Sequence, residues 1–249
     1  MLYAVHMLIK DQAICIRAVD FSETSQVVTF FTKATGKVTA IAKGSKRAKS
    51  VFDGPIELFS VGDIVFSDSH RDKLATLTEF QQRPAFRHLA GNLFALNCSI
   101  FAAELIERLT NDYDPHPELF QHFLEFLQNL DSEYRTQLMW LILFQLALLN
   151  EIGLRPILDA CTNCRASFSQ TWHEVYFSSS ANGLICRDCE AAFTDKIKLS
   201  RGVLECLTAV KLLGSANEKT LREIEKVLIH HFTVILGRPP KMAVHILGK

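Results

Sequence analysis

The chain has 249 residues, enough for one large domain or two to three small ones, and 48% of them are hydrophobic, too many for disorder. Lysine plus arginine and aspartate plus glutamate number 27 each, so the formal net charge is zero and bulk charge commits the molecule to no class of partner. The charge is nevertheless segregated. Residues 1–83 carry 11 basic against 9 acidic side chains, 84–160 carry 4 against 10, 161–200 carry 4 against 4, and 201–249 carry 8 against 4. Two basic ends flank an acidic middle.

Seven cysteines are present, four of them in two C-x-x-C pairs, while Cys15, Cys98 and Cys206 stand alone in apolar stretches. An odd count in this arrangement is not a disulfide framework. The start, MLYAVHMLIK, lacks the charged region and cleavage site of a secretory leader. The longest apolar run, Leu138 to Leu149, is interrupted by Gln145 and falls short of the roughly 20 residues of a membrane span. A soluble protein of a reducing compartment is expected.

In chain order, 12–82 reads as strands: 14–19, then the β-branched and aromatic 27–32, a turn at Ala34-Thr35-Gly36-Lys37, then 38–42, 56–59, 63–66 and 74–78. A polar run, 67–72, separates the last two. Five or so short strands in about 70 residues fit a small closed barrel of the OB type. After Arg83-Pro84 the apolar period becomes helical. Phe94 to Leu109 form one helix, Asp114-Pro115-His116-Pro117 break it, and Leu119 to Leu127 begin the next. Residues 137–150 are apolar nearly all round and belong in the core of a bundle, with Gly153 and Pro156 as stop signals. Helices follow over 201–213 and 218–236, and Arg238-Pro239-Pro240 closes the last. The expected fold is α+β and multidomain: an OB-fold barrel over 1–83, then a helical domain over 84–249 with a zinc-ribbon-like element inserted at 157–197.

Cys161, Cys164, Cys186 and Cys189 form two C-x-x-C turns 21 residues apart. Each turn grips a metal with two thiolates, and two turns supply the tetrahedral set that zinc favours. Arg165 and Arg187 are placed to stabilise thiolates. With four protein ligands no position stays open for water, so one zinc ion is expected as a structural staple for a stretch with little apolar mass. Unligated cysteines or a redox pair are the alternative. His173 reads as a loop residue; a nucleobase deaminase would need H-x-E and P-C-x-x-C, which are absent. No catalytic residues are nominated, because no Walker, dinucleotide or serine-elbow motif occurs.

Lys33, Lys37, Lys43, Lys46, Arg47 and Lys49 fall within 17 residues without an acid among them. Such a run neutralises phosphates and releases their counterions. On a barrel it makes the cationic groove of a single-strand binder, and Phe52 is a candidate base platform. A solvated lysine-rich loop with Phe52 in the core is the plainer alternative. Phe30, Phe31, Phe59 and Phe66 read as core. His230-His231 read as surface or packing residues, and Glu104, Glu107, Asp112 and Asp114 as solvated helix faces.

The order of these parts resembles the bacterial RecO family of DNA repair proteins. The likeness is carried by Lys43-Gly44-Ser45-Lys46-Arg47-Ala48-Lys49-Ser50, then Leu148-Leu149-Asn150-Glu151-Ile152-Gly153-Leu154-Arg155-Pro156, leading into Cys161-Thr162-Asn163-Cys164 and Cys186-Arg187-Asp188-Cys189. It implies a non-enzymatic recombination mediator that binds single- and double-stranded DNA and anneals complementary strands. It also implies partnership with RecR, engagement of the C-terminal tail of the single-strand-binding protein SSB, and help in loading RecA. The implied location is the cytoplasm, at the nucleoid, with no membrane. Some members lack the cysteines, which fits a structural role for zinc. The DNA-contacting set is then Lys37, Lys43, Lys46, Arg47 and Lys49. One departure is Arg238-Pro239-Pro240-Lys241-Met242-Ala243, less basic than the family pattern there. A zinc-dependent enzyme, and an interaction scaffold with an incidental basic loop, remain as competing readings.

Overall fold

In the computed structural model, which describes residues 7–67, 74–83, 86–169 and 172–247, five strands close into a barrel. They are β1 (Leu8–Asp20), β2 (Gln26–Thr32), β3 (Gly36–Ala42), β4 (Val61–Ser67) and β5 (Ala75–Arg83). Their order around the barrel is β1-β2-β3-β5-β4, with β4 returning to pair with β1. All pairings are antiparallel except β3 with β5. Closure through one parallel contact is the OB arrangement, and it leaves no free sheet edge. Residues 1–6, most of the polar run between β4 and β5 (68–73), and Pro84 lie outside the described residues.

The chain divides into two compact units, Met1–Gly91 with Thr110–Gln128, and Asn92–Leu109 with Asn129–Lys249. In the first, Ala13, Cys15, Val28, Phe30, Val38, Ala40, Ile64, Phe66, Leu77 and Phe80 fill the barrel. β2 is buried along almost its whole length because both its faces are covered. Phe30 points inward and meets Phe80 edge-on at 5.1 Å. Phe31, one residue on and on the opposite face, packs against Phe120 and Phe123 of a helix spanning Pro117–Gln128. A segment of acidic, helical character thus completes the β unit. A short helical turn, α1 (His88–Gly91), joins it when the His88 ring hydrogen-bonds the Leu127 carbonyl oxygen at 3.0 Å.

The sequence expectation of a strand over 56–59 is not met. Pro55 precedes the segment and Phe59 takes a left-handed φ of 62°. Ser60 closes a turn on the Glu57 carbonyl through both its N–H and its hydroxyl, which ends any ladder. Cys15 and Phe59–Ser60 still exchange two backbone hydrogen bonds, at the β1 irregularity between Cys15 and Arg17. Gly36 has φ 85°, and a β-carbon there would lie 2.2 Å from the Asp114 carbonyl oxygen. Only glycine lets the β2–β3 turn accept the 110–114 strap.

The second unit is helical: α2 (Leu93–Leu109), α4 (Tyr134–Glu151), α5 (Arg201–Thr208), α6 (Glu218–Leu236) and α7 (Ala243–Leu247), with α3 being the Pro117–Gln128 helix of the first unit. α4 lies at its centre, contacting α2 and α6, as its all-round apolar character demands. Gly153 at φ 75° ends α4. Its N–H bonds the Asn150 carbonyl and that of Leu154 bonds Leu149, a Schellman closure. The single helix expected over 201–213 is instead α5 followed by a 3-10 stretch, Val210–Ser215. Ala209 leaves the helical region, and Arg135 donates to the carbonyls of Gly214 and Ala216, holding that stretch in its tighter winding. Between α4 and α5 lies a small sheet, β6 (Val175–Ser178), β7 (Gly183–Cys186) and β8 (Ile197–Lys198), in the order β7-β6-β8.

Candidate nucleic-acid interface and metal centre

The basic segment is an irregular loop after β3, and buried neutral hydrogen bonds hold it in shape. The Gln26 side chain is the hub. Its Oε1 accepts from the Ser45 hydroxyl (2.9 Å) and the Ile56 N–H (2.9 Å), and its Nε2 donates to the Ile56 carbonyl (3.2 Å). Ser45 is fully buried, an unusual position for a serine between two lysine-bearing turns. The loop is also tied to the β1–β2 turn: Gly44 N–H donates to the Ser25 hydroxyl and Lys46 N–H to the Thr24 carbonyl. Lys46 forms an ion pair with Asp20 at 2.6 Å. Lys43, Arg47 and Lys49 are exposed.

Two residues of the sequence-based set behave differently. Lys37 is only 8% exposed; its ammonium donates to the Thr110 carbonyl at 2.8 Å and lies 3.4 Å from an Asp112 carboxylate oxygen. It belongs to the packing of the 110–114 strap against β3, where Tyr113 N–H also bonds the Lys37 carbonyl, and not to the cationic surface. Phe52 is buried in the barrel core beside Ile56 and cannot offer a ring to a base. Phe30, Phe31, Phe59 and Phe66 are buried as expected.

The four cysteines converge. All four Sγ atoms lie within 4.8 Å of one another, and Sγ of Cys164 and Cys186 are 3.8 Å apart. Four sulfurs at about 2.3 Å from one zinc ion stand about 3.8 Å apart, so the spacing fits a tetrahedral ion. The first knuckle turns through Arg165 at φ 63°, whose N–H bonds the Cys161 carbonyl. The second closes through Cys189 N–H on the Cys186 carbonyl and runs into a 3-10 turn, Glu190–Ala192. Thr162 clips the first knuckle to β7 by donating its N–H and hydroxyl to the Leu184 carbonyl. A backbone exchange between Ile157 and 182–184 fixes the approach from α4.

Burial raises the Cys161 thiol, but peptide N–H groups of Cys186, Cys164 and Asn163 outweigh it and bring the pKa down to about 6. Cys186 is held up at about 12 by desolvation and the adjacent Cys189 thiol. At Cys161 it is these peptide N–H groups, and neither Arg165 nor Arg187, that lower the thiol. Arg187 pairs with Glu174 at 3.4 Å, and Glu174 also pairs with Lys198. These groups line the rim of the element, where Lys196 pairs with Glu190. His173 is exposed and outside the thiol cluster. His231 is a packing residue, its ring edge-on to Phe177 at 5.3 Å and its pKa lowered to about 4 by burial. Glu104 is not a solvated helix residue. Its two oxygens accept the N–H groups of Lys241 and Met242, anchoring the approach to α7.

A closed OB barrel bearing an ordered cationic loop, in one chain with a helical unit that carries a four-thiol cluster, defines a two-unit class of OB protein. Comparison with known proteins narrows the class. The family model for the N-terminal part of recombination protein O matches residues 7–85, and that for its C-terminal part matches 90–243. The DNA repair protein RecO of Rhodopirellula baltica is 34% identical over 195 residues, which cover 78% of this chain and 72% of that protein. RecO of Anaeromyxobacter sp. (strain K) is 32% identical over 237 residues, 92% of each chain, and RecO of Bacillus pumilus 28% over 238, covering 93% and 90%. The chain belongs to the RecO family of DNA repair proteins, and its role lies in DNA repair and recombination. Among the described residues no helix is long and apolar enough to cross a membrane.

Proposed function

We propose that the chain is a recombination mediator that binds single- and double-stranded DNA and anneals complementary strands. In this reading it works with RecR, engages the SSB tail, and helps RecA onto SSB-coated strands. The observation that carries this is the basic loop: Lys43, Arg47 and Lys49 are exposed on a loop held by the buried Gln26–Ser45 hydrogen bonds. Ordered cations meet the phosphates without first freezing a mobile loop, and backbone contacts tolerate any sequence. An annealing protein needs that tolerance, and needs contacts that can be released. Lys46, paired with Asp20, shapes the loop and contributes less to the phosphates. Lys37 is not in the proposed contact set. The loop's pinned geometry favours this reading over a scaffold with an incidental basic loop.

One zinc ion is proposed at Cys161, Cys164, Cys186 and Cys189. Four thiolates fill its coordination, so its contribution is to hold β6–β8 and the knuckles as one element, and no water-activating position is left for hydrolytic chemistry. The functional test is strand annealing on SSB-coated complementary oligonucleotides. A variant with Lys43, Arg47 and Lys49 changed to alanine is expected to lose annealing and most single-strand affinity at moderate salt. Unchanged annealing by that variant would remove the loop from the site.

A further inference from the structure

The chain has eighteen phenylalanines, and Phe21 alone among them is exposed, at 64%. The others are buried or partly covered. Phe21 opens the β1–β2 turn, where its N–H and that of Ser22 both bond the Ser25 carbonyl. That turn is the one to which the basic loop is tied, through Ser25 to Gly44, Thr24 to Lys46, and Asp20 to Lys46. The exposed ring and the exposed cations therefore belong to one hydrogen-bonded loop cluster at the same end of the barrel. At 64% exposure the Phe21 ring lies outside the barrel core. Two acids, Asp20 and Glu23, flank it; Asp20 is neutralised by Lys46 and Glu23 is exposed. Negative charge beside the ring disfavours a phosphate there, while the 43–49 side, free of acids, attracts one.

We infer that Phe21 is a stacking platform for an unpaired base of the single strand whose phosphates lie along Lys43, Arg47 and Lys49. This rests on the DNA-binding reading above and deepens it: the loop supplies strand-blind affinity, and Phe21 supplies preference for single strands. A base in a duplex is stacked on its neighbours and has no free face to offer. Stacking on an aromatic ring tolerates every base, as annealing requires.

The experiment measures fluorescence anisotropy of the full chain with a labelled single strand, a duplex, and a deoxyribose-phosphate strand lacking bases, over a salt series. Phe21→Ala is expected to weaken single-strand binding about tenfold, with the salt slope unchanged and no change on the baseless strand or the duplex. Phe21→Trp is expected to restore affinity, with its emission changing on the single strand and not on the baseless one. Wild-type affinity in Phe21→Ala, or an equal loss on the baseless strand, overturns the platform. If the Lys43, Arg47, Lys49 variant still loses binding in that case, the DNA reading stands and only the role of Phe21 falls. Binding that neither salt nor either variant alters removes both.

Discussion

The basic loop and the cysteine element are both irregular segments, and they are kept in shape by opposite means. The loop borrows the barrel's interior: Ser45, Gln26 and Ile56 bury a neutral hydrogen-bond network, and Phe52 belongs to the same barrel core as Ile56. The Lys46–Asp20 ion pair adds a tie at the surface. The cysteine element has three strands of two to four residues and depends for its closure on four sulfurs within 4.8 Å. A region that leans on a core can spend its charges on a partner. The cysteine element buries a few apolar residues, Val175, Phe177, Leu184 and Ile185 among them, and ties its surface charges to one another, as Glu174, Arg187, Lys196 and Lys198 do.

The largest effect should come from the sulfur cluster. Cys161→Ser with Cys164→Ser removes half the donor set, and structural zinc is worth about 10–16 kcal/mol in isolated fingers. Loss of bound zinc by mass spectrometry is expected, with proteolytic cleavage opening between 157 and 199 and the barrel left protected. A metal-free variant that resists cleavage there would erase the contrast between the two regions.

In the helical unit that carries the cysteine element, Glu225 is a buried carboxyl on α6. It is fully buried; burial raises its pKa to about 8, against which the Gln145 amide works only partly. Because the folded value lies above the ordinary 4.5, the native state holds the proton more tightly. Its contribution is complete below about pH 4.5 and is lost as pH rises toward 8. Glu225→Gln should flatten denaturant stability between pH 5 and 8 by an amount on the order of 2–4 kcal/mol. An unaltered slope would show that the carboxyl titrates normally.

Gln26→Ala should cost about 2–3 kcal/mol, since it strands the Ser45 hydroxyl and the Ile56 N–H in the interior. Hydrogen exchange in 43–56 should accelerate. If exchange there stays slow, the network is not what orders the loop.

Lys37→Met should lower stability by about 1–3 kcal/mol and leave the salt dependence of DNA binding intact. The Lys43, Arg47, Lys49 triple variant should do the reverse. Its stability should stay within about 0.5 kcal/mol, and its single-strand salt slope should fall by about 2. Denaturant melts and salt titrations on the two variants measure both. A matching loss of salt slope in Lys37→Met would return that residue to the surface set.

Local repetition and spacing made part of this fold legible from the residues alone. β-branched and aromatic runs marked β2, β3 and β4 closely and β1 and β5 in part, the helical period marked α2, α3, α4 and α6, and two C-x-x-C turns marked the thiol cluster. Which charges and rings face water depends instead on long-range packing. Lys37 and Lys43 read alike in a line of basic residues, yet one is buried against Thr110 and Asp112 and the other is exposed, because a strap 73 residues away docks on β3. Phe52, beside the basic run, read as a candidate base platform, yet the barrel interior takes it, while Phe21 stays outside. The acidic-looking 110–128 segment completes the β unit because Phe120 and Phe123 find the outer face of β2. Burial is a property of long-range packing, which no window of residues contains, whereas period, turn chemistry and ligand spacing are written within a few residues of each other.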